Sequence, residues 1–153
     1  MTHLQYFNSF ILLFAFLFVT ACEDNPASHN DHDHHFQAIG LHIMNSGDTI
    51  ASYIGGNVLG SINVNVEDMT PLLSVKFIAE DGEIGIPEGE EYGFDWEIDN
   101  SDIAEVHTHD DELDEYRFHV RGLRVGETKI KLIINHNNHK DFESKAIPII
   151  VTE

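Results

Sequence analysis

The sequence predicts an all-β sandwich, and three observations carry that expectation. Apolar residues recur at every second position in a series of short segments, turn-forming clusters separate those segments, and no stretch of adequate length repeats with a 3.6-residue period. From Phe36 onward "QAIGLHIM" alternates, "SINVNV" puts Ile62, Val64 and Val66 on one face, and "LLSVKFIA" gives Leu73, Val75 and Phe77 the same phase. There follow "YGFDWEI" with Phe94, Trp96 and Ile98, "IAEV", and "EYRFHV" with Tyr116, Phe118 and Val120. "KIKLII" with Ile130, Leu132 and Ile134, and "AIPIIV", complete the series. The separators "NSGD", "EDGEIGIPEGEE", "DNSD", "RGLRVGE" and "NHNNHKD" are rich in residues that tolerate or preset the dihedrals of a reversal. Trp96 falls in phase with its apolar neighbours and is expected in the core.

The chain of 153 residues has room for one domain, and with 42% apolar residues, ten Phe and one Trp it can build a real core. Its formal net charge of -19 repels nucleic acid and anionic membranes. Cations and basic partners are what such a surface attracts.

Residues 1–21 read as an export signal rather than as part of the fold. The apolar run of residues 10–19 is too short for a comfortable permanent span, and small residues lead from it to Cys22. Val19-Thr20-Ala21-Cys22 resembles the lipobox of bacterial lipoproteins, and the resemblance implies that Cys22 is lipidated as the first residue of the mature chain. The n-region "MTHLQYFNSF" lacks Lys and Arg, so its positive charge rests on the terminal amine and His3. An uncleaved N-terminal anchor would leave the rest of the chain in the same compartment. Because Cys22 is the one cysteine, no disulfide is available and stability must come from packing.

Residues 22–35 are polar and aperiodic, which predicts a flexible His/Asp-rich tether between the lipid and the fold. Glu23 and Asp24, directly after Cys22, resemble the surface-export signals of some Gram-negative lipoproteins. The expected localisation is the cell envelope, lipid-anchored in the outer membrane on its periplasmic or surface side.

From residue 36 to 153 a second resemblance is visible. "FDWEIDNSDIAEV", "FHVRGLRVGETKIKLII" and the closing "IPIIV" resemble the bacterial immunoglobulin-like domains of the type 2 group. Trp96, Ala104, Val106, Gly122, Leu123, Gly126, Thr128 and Ile130 occupy the positions that carry the likeness. The resemblance implies an immunoglobulin-like antiparallel β-sandwich, with "TIASYIGGNVLG" as an inserted hairpin or lengthened first strand. Gly126 and Thr128 also have a local reason: the chain must turn sharply after Leu123 and re-enter the sheet with a β-branched residue. Such a fold does not by itself assign an activity.

Alternating strand directions would gather loops 80–91, 108–114 and 137–141 at the end where the tether enters, leaving Arg121 and Arg124 at the other. That end then holds His107, His109, His136 and His139 together with His32, His34 and His35 of the tether. A specific metal site needs three or four ligands held together, and zinc takes imidazole nitrogen and carboxylate oxygen in a tetrahedron. The expected site has His136 and His139 as its fixed half, closed by His34 or His35, with His32 and Asp33 in a weaker collecting site. His107 and His109, whose His-Thr-His spacing puts both rings on one strand face, and Asp141 are further candidate ligands. Zn2+ is the expected ion, with other divalent transition metals competing by the general affinity order.

Each candidate has an ordinary alternative. "HNDHDHHF" can be a solvated spacer, His136 and His139 a polar hairpin tip, and His107 and His109 the surface of a short strand. His42 and His119 alternate with apolar neighbours and are expected to face solvent without a role. The acidic stretch 80–115 contains no Lys or Arg and reads as a solvated face, with no "DxDxDG" loop for calcium.

Catalysis finds no motif: "GxSxG", "HExxH", Walker and dinucleotide signatures are missing, so a non-enzymatic protein is expected. Two readings follow. One is a lipoprotein that captures zinc and hands it to a membrane transport partner or receptor, with affinity falling below about pH 6.5 as imidazole protonates. The other is a structural or adhesive immunoglobulin-like envelope module that binds through an apolar patch or open sheet edge. A third, electrostatic docking of a basic partner on the acidic pole, would be abolished by salt.

Overall fold

Period-two burial marks several of the strands of residues 36–153, the part of the chain that a computed structural model describes. In β1 (Ala38–Asn45), β4 (Ile62–Asn65) and β5 (Leu73–Ala79) the apolar phase read from the sequence is the phase that is buried, while between them β2 (Asp48–Ile54) buries Ala51 and Ser52 side by side and β3 (Asn57–Gly60) leaves Leu59 exposed. The chain continues through β6 (Ile84–Gly85), β7 (Tyr92–Ile98), β8 (Ala104–His107), α1 (Asp110–Leu113) and β9 (Arg117–Gly122). It closes with β10 (Gly126–His136), β11 (His139–Glu143) and β12 (Ile147–Thr152).

Two sheets form. The first has the order β3-β2-β1-β5-β9-β8 with β6 on β5, and the second the order β11-β10-β12-β4 with β7 on β10. The run β1-β5-β9-β8 in one sheet and β7-β10-β12 in the other is the strand arrangement of an immunoglobulin-like sandwich. The strand ladders are antiparallel except between β12 and β4, which run parallel with Val151 opposite Val64, and a single parallel bridge joins Val66 to Gly122. The segment "TIASYIGGNVLG" makes the hairpin β2–β3, added at an edge of the first sheet.

One core lies between the sheets. Leu41, Ile43, Leu73, Val75, Phe77, Phe118 and Val120 of the first meet Ile62, Val64, Ile130, Leu132, Ile134, Ile147, Ile149 and Val151 of the second. Each such side chain contributes about 1.5–3 kcal/mol on leaving water. Phe77 is the hub of the aromatic contacts, edge-on to Tyr116 at 5.4 Å and to Phe142 at 5.6 Å. Trp96 packs partly buried against this cluster, as its phase predicts.

The "RGLRVGE" corner shows why glycine stands where it does. A Cβ on Gly122 would lie 2.4 Å from the Asn65 carbonyl oxygen, so the close approach of β9 to the end of β4 admits no side chain. Gly126 opens β10 at φ +151, a conformation that L side chains rarely adopt. Leu123 and Arg124 both donate their N–H to the Ile103 carbonyl, at 2.8 and 3.2 Å, and the Thr128 hydroxyl accepts the Asn100 N–H at 2.9 Å.

One local departure from the sequence expectation lies in loop 108–114, where a single helical turn forms. Its acid is not part of a solvated face: Glu112 is buried, because its carboxylate turns back to accept the His109 backbone N–H at 2.9 Å. The export segment, Cys22 and the tether residues His32, His34 and His35 lie outside the described residues. Among the described residues no helix is long and apolar enough to cross a membrane.

Candidate functional site

The site is built at the end of the sandwich where the described chain begins. The Glu80 N–H donates to the Gln37 carbonyl at 3.0 Å, tying loop 80–91 to the start of β1. The Asn137 N–H donates to the Glu91 carbonyl at 2.9 Å, tying the β10–β11 turn to the same loop. Phe36 donates its N–H to the Tyr92 hydroxyl at 2.9 Å, and the Tyr92 ring stacks on His136 with centroids 4.7 Å apart. A groove of about 450 Å³ between Phe36, Ala38, Glu80 and Asp141 completes that corner. Loops 80–91 and 137–141 therefore meet beside Phe36.

His136 and His139 face each other as the closing pair of the β10–β11 hairpin. Between them Asn137 and Asn138 stand at φ 47 and φ 66, the left-handed pair of a type I′ turn that asparagine tolerates. His136 is held from several sides: its Nδ1 lies 3.5 Å from the Asp141 carboxylate and its Nε2 takes the Asn137 side-chain amide at 3.2 Å. Since an amide N–H only donates, Nε2 is the acceptor and Nδ1 carries the proton. His139 is exposed at the tip.

A second group of histidines sits on the β8–β9 side. His107 and His109 are exposed, with ring centroids 5.1 Å apart and planes nearly perpendicular, and His119 follows at 6.5 Å from His109. His119 corrects the expectation that it faces solvent without a role: its side chain is 18% exposed. Its Nδ1 donates to the Thr70 carbonyl at 2.9 Å, and its Nε2 lies 3.6 Å from Glu112. The α1 turn folding over the outer face of β9 is the reason, and nothing in strand periodicity announces it. His42 is likewise half-buried, with Nδ1 screened from water. Glu112 is held below the ordinary carboxylate range, first by the His109 backbone N–H and further by the charges of His109 and His119, against the opposing effect of burial.

Among the described residues no group of three or more His, Cys, Asp or Glu side chains is arranged to hold a metal ion. The described candidates occur as pairs: His136 with His139, His107 with His109, and Asp141 behind His136.

Beside the Tyr92–His136 stack opens a cleft of about 730 Å³ that sequence reasoning did not single out. Its walls are residues 86–90, Tyr92, Gly93 and Phe94 on one side and Leu113, Asp114 and Tyr116 on the other. Phe94 and Tyr116 form its floor with ring centroids 5.4 Å apart. Tyr116 holds a left-handed backbone at φ 55, unusual for so large a side chain, and passes its carbonyl to the Val75 N–H at 2.9 Å. Burial, with Tyr92 and the Asp114 carboxylate nearby, pushes its hydroxyl up to about 12. The spacing of Glu112 three residues after His109 was the one sequence signal of this turn, since a side chain that returns to the N-cap N–H commonly stands there.

No protein-family model matches the chain, and no curated protein matches it in sequence. Among solved structures, domains 4 and 5 of the S-layer protein SbsC match with 15% identity and a TM-score of 0.44. That match covers 61% of this chain, which spans 42% of the SbsC chain.

Proposed function

We propose that the protein is a non-enzymatic, lipid-anchored module of the cell envelope that captures zinc at its tether-entry pole and holds it for a membrane transport partner. The observation that carries this reading is the orientation of His136, with Nδ1 directed to the Asp141 carboxylate at 3.5 Å and Nε2 turned to the exposed hairpin tip. A carboxylate behind one ring nitrogen fixes the tautomer, and a metal at Nε2 would take the place of the Asn137 amide that this nitrogen accepts. Asp141 is then the orienting group, His136 the first ligand, and His139, its cross-strand partner, the second.

Two ligands make a weak site, so the third must come from the tether. Chain connectivity supports this: His34 and His35 directly precede Phe36 in the sequence. The Phe36 N–H is bonded to the ring that stacks on His136. His32 and the exposed pair His107 and His109 would serve as weaker collecting ligands on an acidic surface that concentrates cations.

Titration calorimetry of zinc into the full-length chain in detergent micelles tests the reading. Three proteins are compared: wild type, His136→Ala/His139→Ala, and His34→Ala/His35→Ala. One tight site lost in both double variants is expected. Weak, multiple binding that survives His136→Ala/His139→Ala would overturn the composite site.

A further inference from the structure

We propose that the cleft between segments 86–94 and 113–116 is a binding site for an arginine side chain presented by a basic partner protein. Its volume of about 730 Å³ falls within the range of about 300–1,000 Å³ typical of ligand clefts, and it is open along one side. Its floor is aromatic, from Tyr92, Phe94 and Tyr116, and its rim carries Glu88, Glu90 and Asp114. No Lys or Arg lines it. The nearest basic residue in sequence, Arg117, is engaged by Glu115 at 2.6 Å.

The observation that points to a ligand is the Tyr116 hydroxyl. Tyr116 is only 3% exposed yet lines the cleft, and no hydrogen bond from another described residue reaches its hydroxyl. The Tyr92 hydroxyl in the same wall already accepts the Phe36 N–H, whereas the Tyr116 oxygen accepts from no described residue. Three carboxylates, a free phenolic acceptor and aromatic faces are complementary to a group that is planar, permanently charged and made only of donors. The guanidinium is that group: it offers five N–H donors in one plane and lies flat on aromatic faces, whereas an ammonium meets them only as a point charge with three donors. A net charge of -19 adds long-range attraction for a basic protein rather than for a neutral or acidic one.

The test is an NMR titration of the full-length chain in zwitterionic detergent micelles with a chelator present, so that it is independent of zinc capture. The probes are acetyl-Gly-Arg-Gly-amide, the same peptide with neutral citrulline in place of arginine, and guanidinium chloride at matched ionic strength. The arginine peptide is expected to bind one-to-one, shifting the amides of Gly89, Gly93, Asp114 and Tyr116. Its affinity should exceed that of the citrulline peptide about tenfold or more. Tyr116→Phe, which keeps the ring, and Asp114→Asn, at an exposed position, should each weaken binding about threefold or more.

Equal affinity for arginine and citrulline would overturn the proposal. Shifts spread over the surface and untouched by both variants would do the same, because they would report diffuse attraction to an acidic chain. Free guanidinium binding as tightly as the peptide would overturn the partner-protein assignment.

Discussion

The phenol ring of Tyr92 lies on the imidazole of His136 with centroids 4.7 Å apart and planes 26° from parallel, while its hydroxyl accepts the backbone N–H of Phe36 at 2.9 Å. One side chain thus joins the start of the described chain, the end of β10 and the wall of the cleft. Its two contacts can be separated by substitution. Tyr92→Phe keeps the stack and loses the hydrogen bond, for an expected cost of about 0.5–1.5 kcal/mol by urea denaturation. Tyr92→Ala loses both, and about 2 kcal/mol or more is expected. Equal costs for the two variants would show that the stack adds nothing.

Glu112 gives a pH dependence whose sign follows from its environment. The His109 backbone N–H and the neighbouring imidazoles favour the carboxylate, so the folded-state pKa lies below the reference value of 4.5. In the unfolded chain the group takes up its proton at higher pH than in the fold, so the stabilising contribution is present above pH 4.5 and is lost as pH falls through the folded value. Glu112→Gln should therefore lose less stability than wild type between pH 5 and 3, measured as melting temperature across an acid series. Parallel curves for the two proteins would remove Glu112 from the acid response.

Gly122 tests the corner that carries the family resemblance. A methyl group added there would stand only 2.4 Å from the Asn65 carbonyl oxygen and 2.9 Å from Val151, so Gly122→Ala must push β9 away from β4. A destabilisation of about 1–3 kcal/mol is expected from such overpacking, read from equilibrium unfolding. A change below about 0.5 kcal/mol would mean that the corner relaxes freely.

The strands were legible because burial on one face imposes a period of two, and that period survives in "SINVNV", "LLSVKF" and "KIKLII" without reference to any neighbour. The segment "TIASYIGGNVLG" stood out as a departure from the resemblance that left a hairpin and a lengthened first strand both open, and the structure resolves it as a hairpin turning at Gly55 and Gly56, at φ 56 and φ 82. The meeting of loops beside Phe36 follows from strand alternation alone. His119 and Glu112 were not legible in that way. Their burial depends on one helical turn folding over the outer face of β9, a tertiary contact that leaves no periodic trace. The cleft escaped for the same reason, since Phe94 and Tyr116 read as ordinary core residues and their floor is shared between a core and an opening.

The Asn137–Asn138 turn links stability to the candidate ligands. Both residues occupy left-handed backbone, at φ 47 and φ 66, and the turn they form sets His136 opposite His139. A left-handed conformation costs about 1–2 kcal/mol for an ordinary L residue, less for asparagine and least for glycine. Asn138→Gly should therefore leave stability unchanged or raise it by a few tenths of a kcal/mol, whereas Asn138→Val should lower it by about 1–2 kcal/mol. Neither residue is a candidate ligand, so the same variants separate turn geometry from ligand chemistry. If His136 and His139 act together, Asn138→Gly should keep the zinc affinity of wild type and Asn138→Val should weaken it in step with the loss of hairpin order. Amide hydrogen exchange across β10 and β11, followed beside calorimetry, reads both quantities. Zinc affinity unmoved while the hairpin tip loses protection would separate metal capture from the His136–His139 pair and leave it to the tether alone.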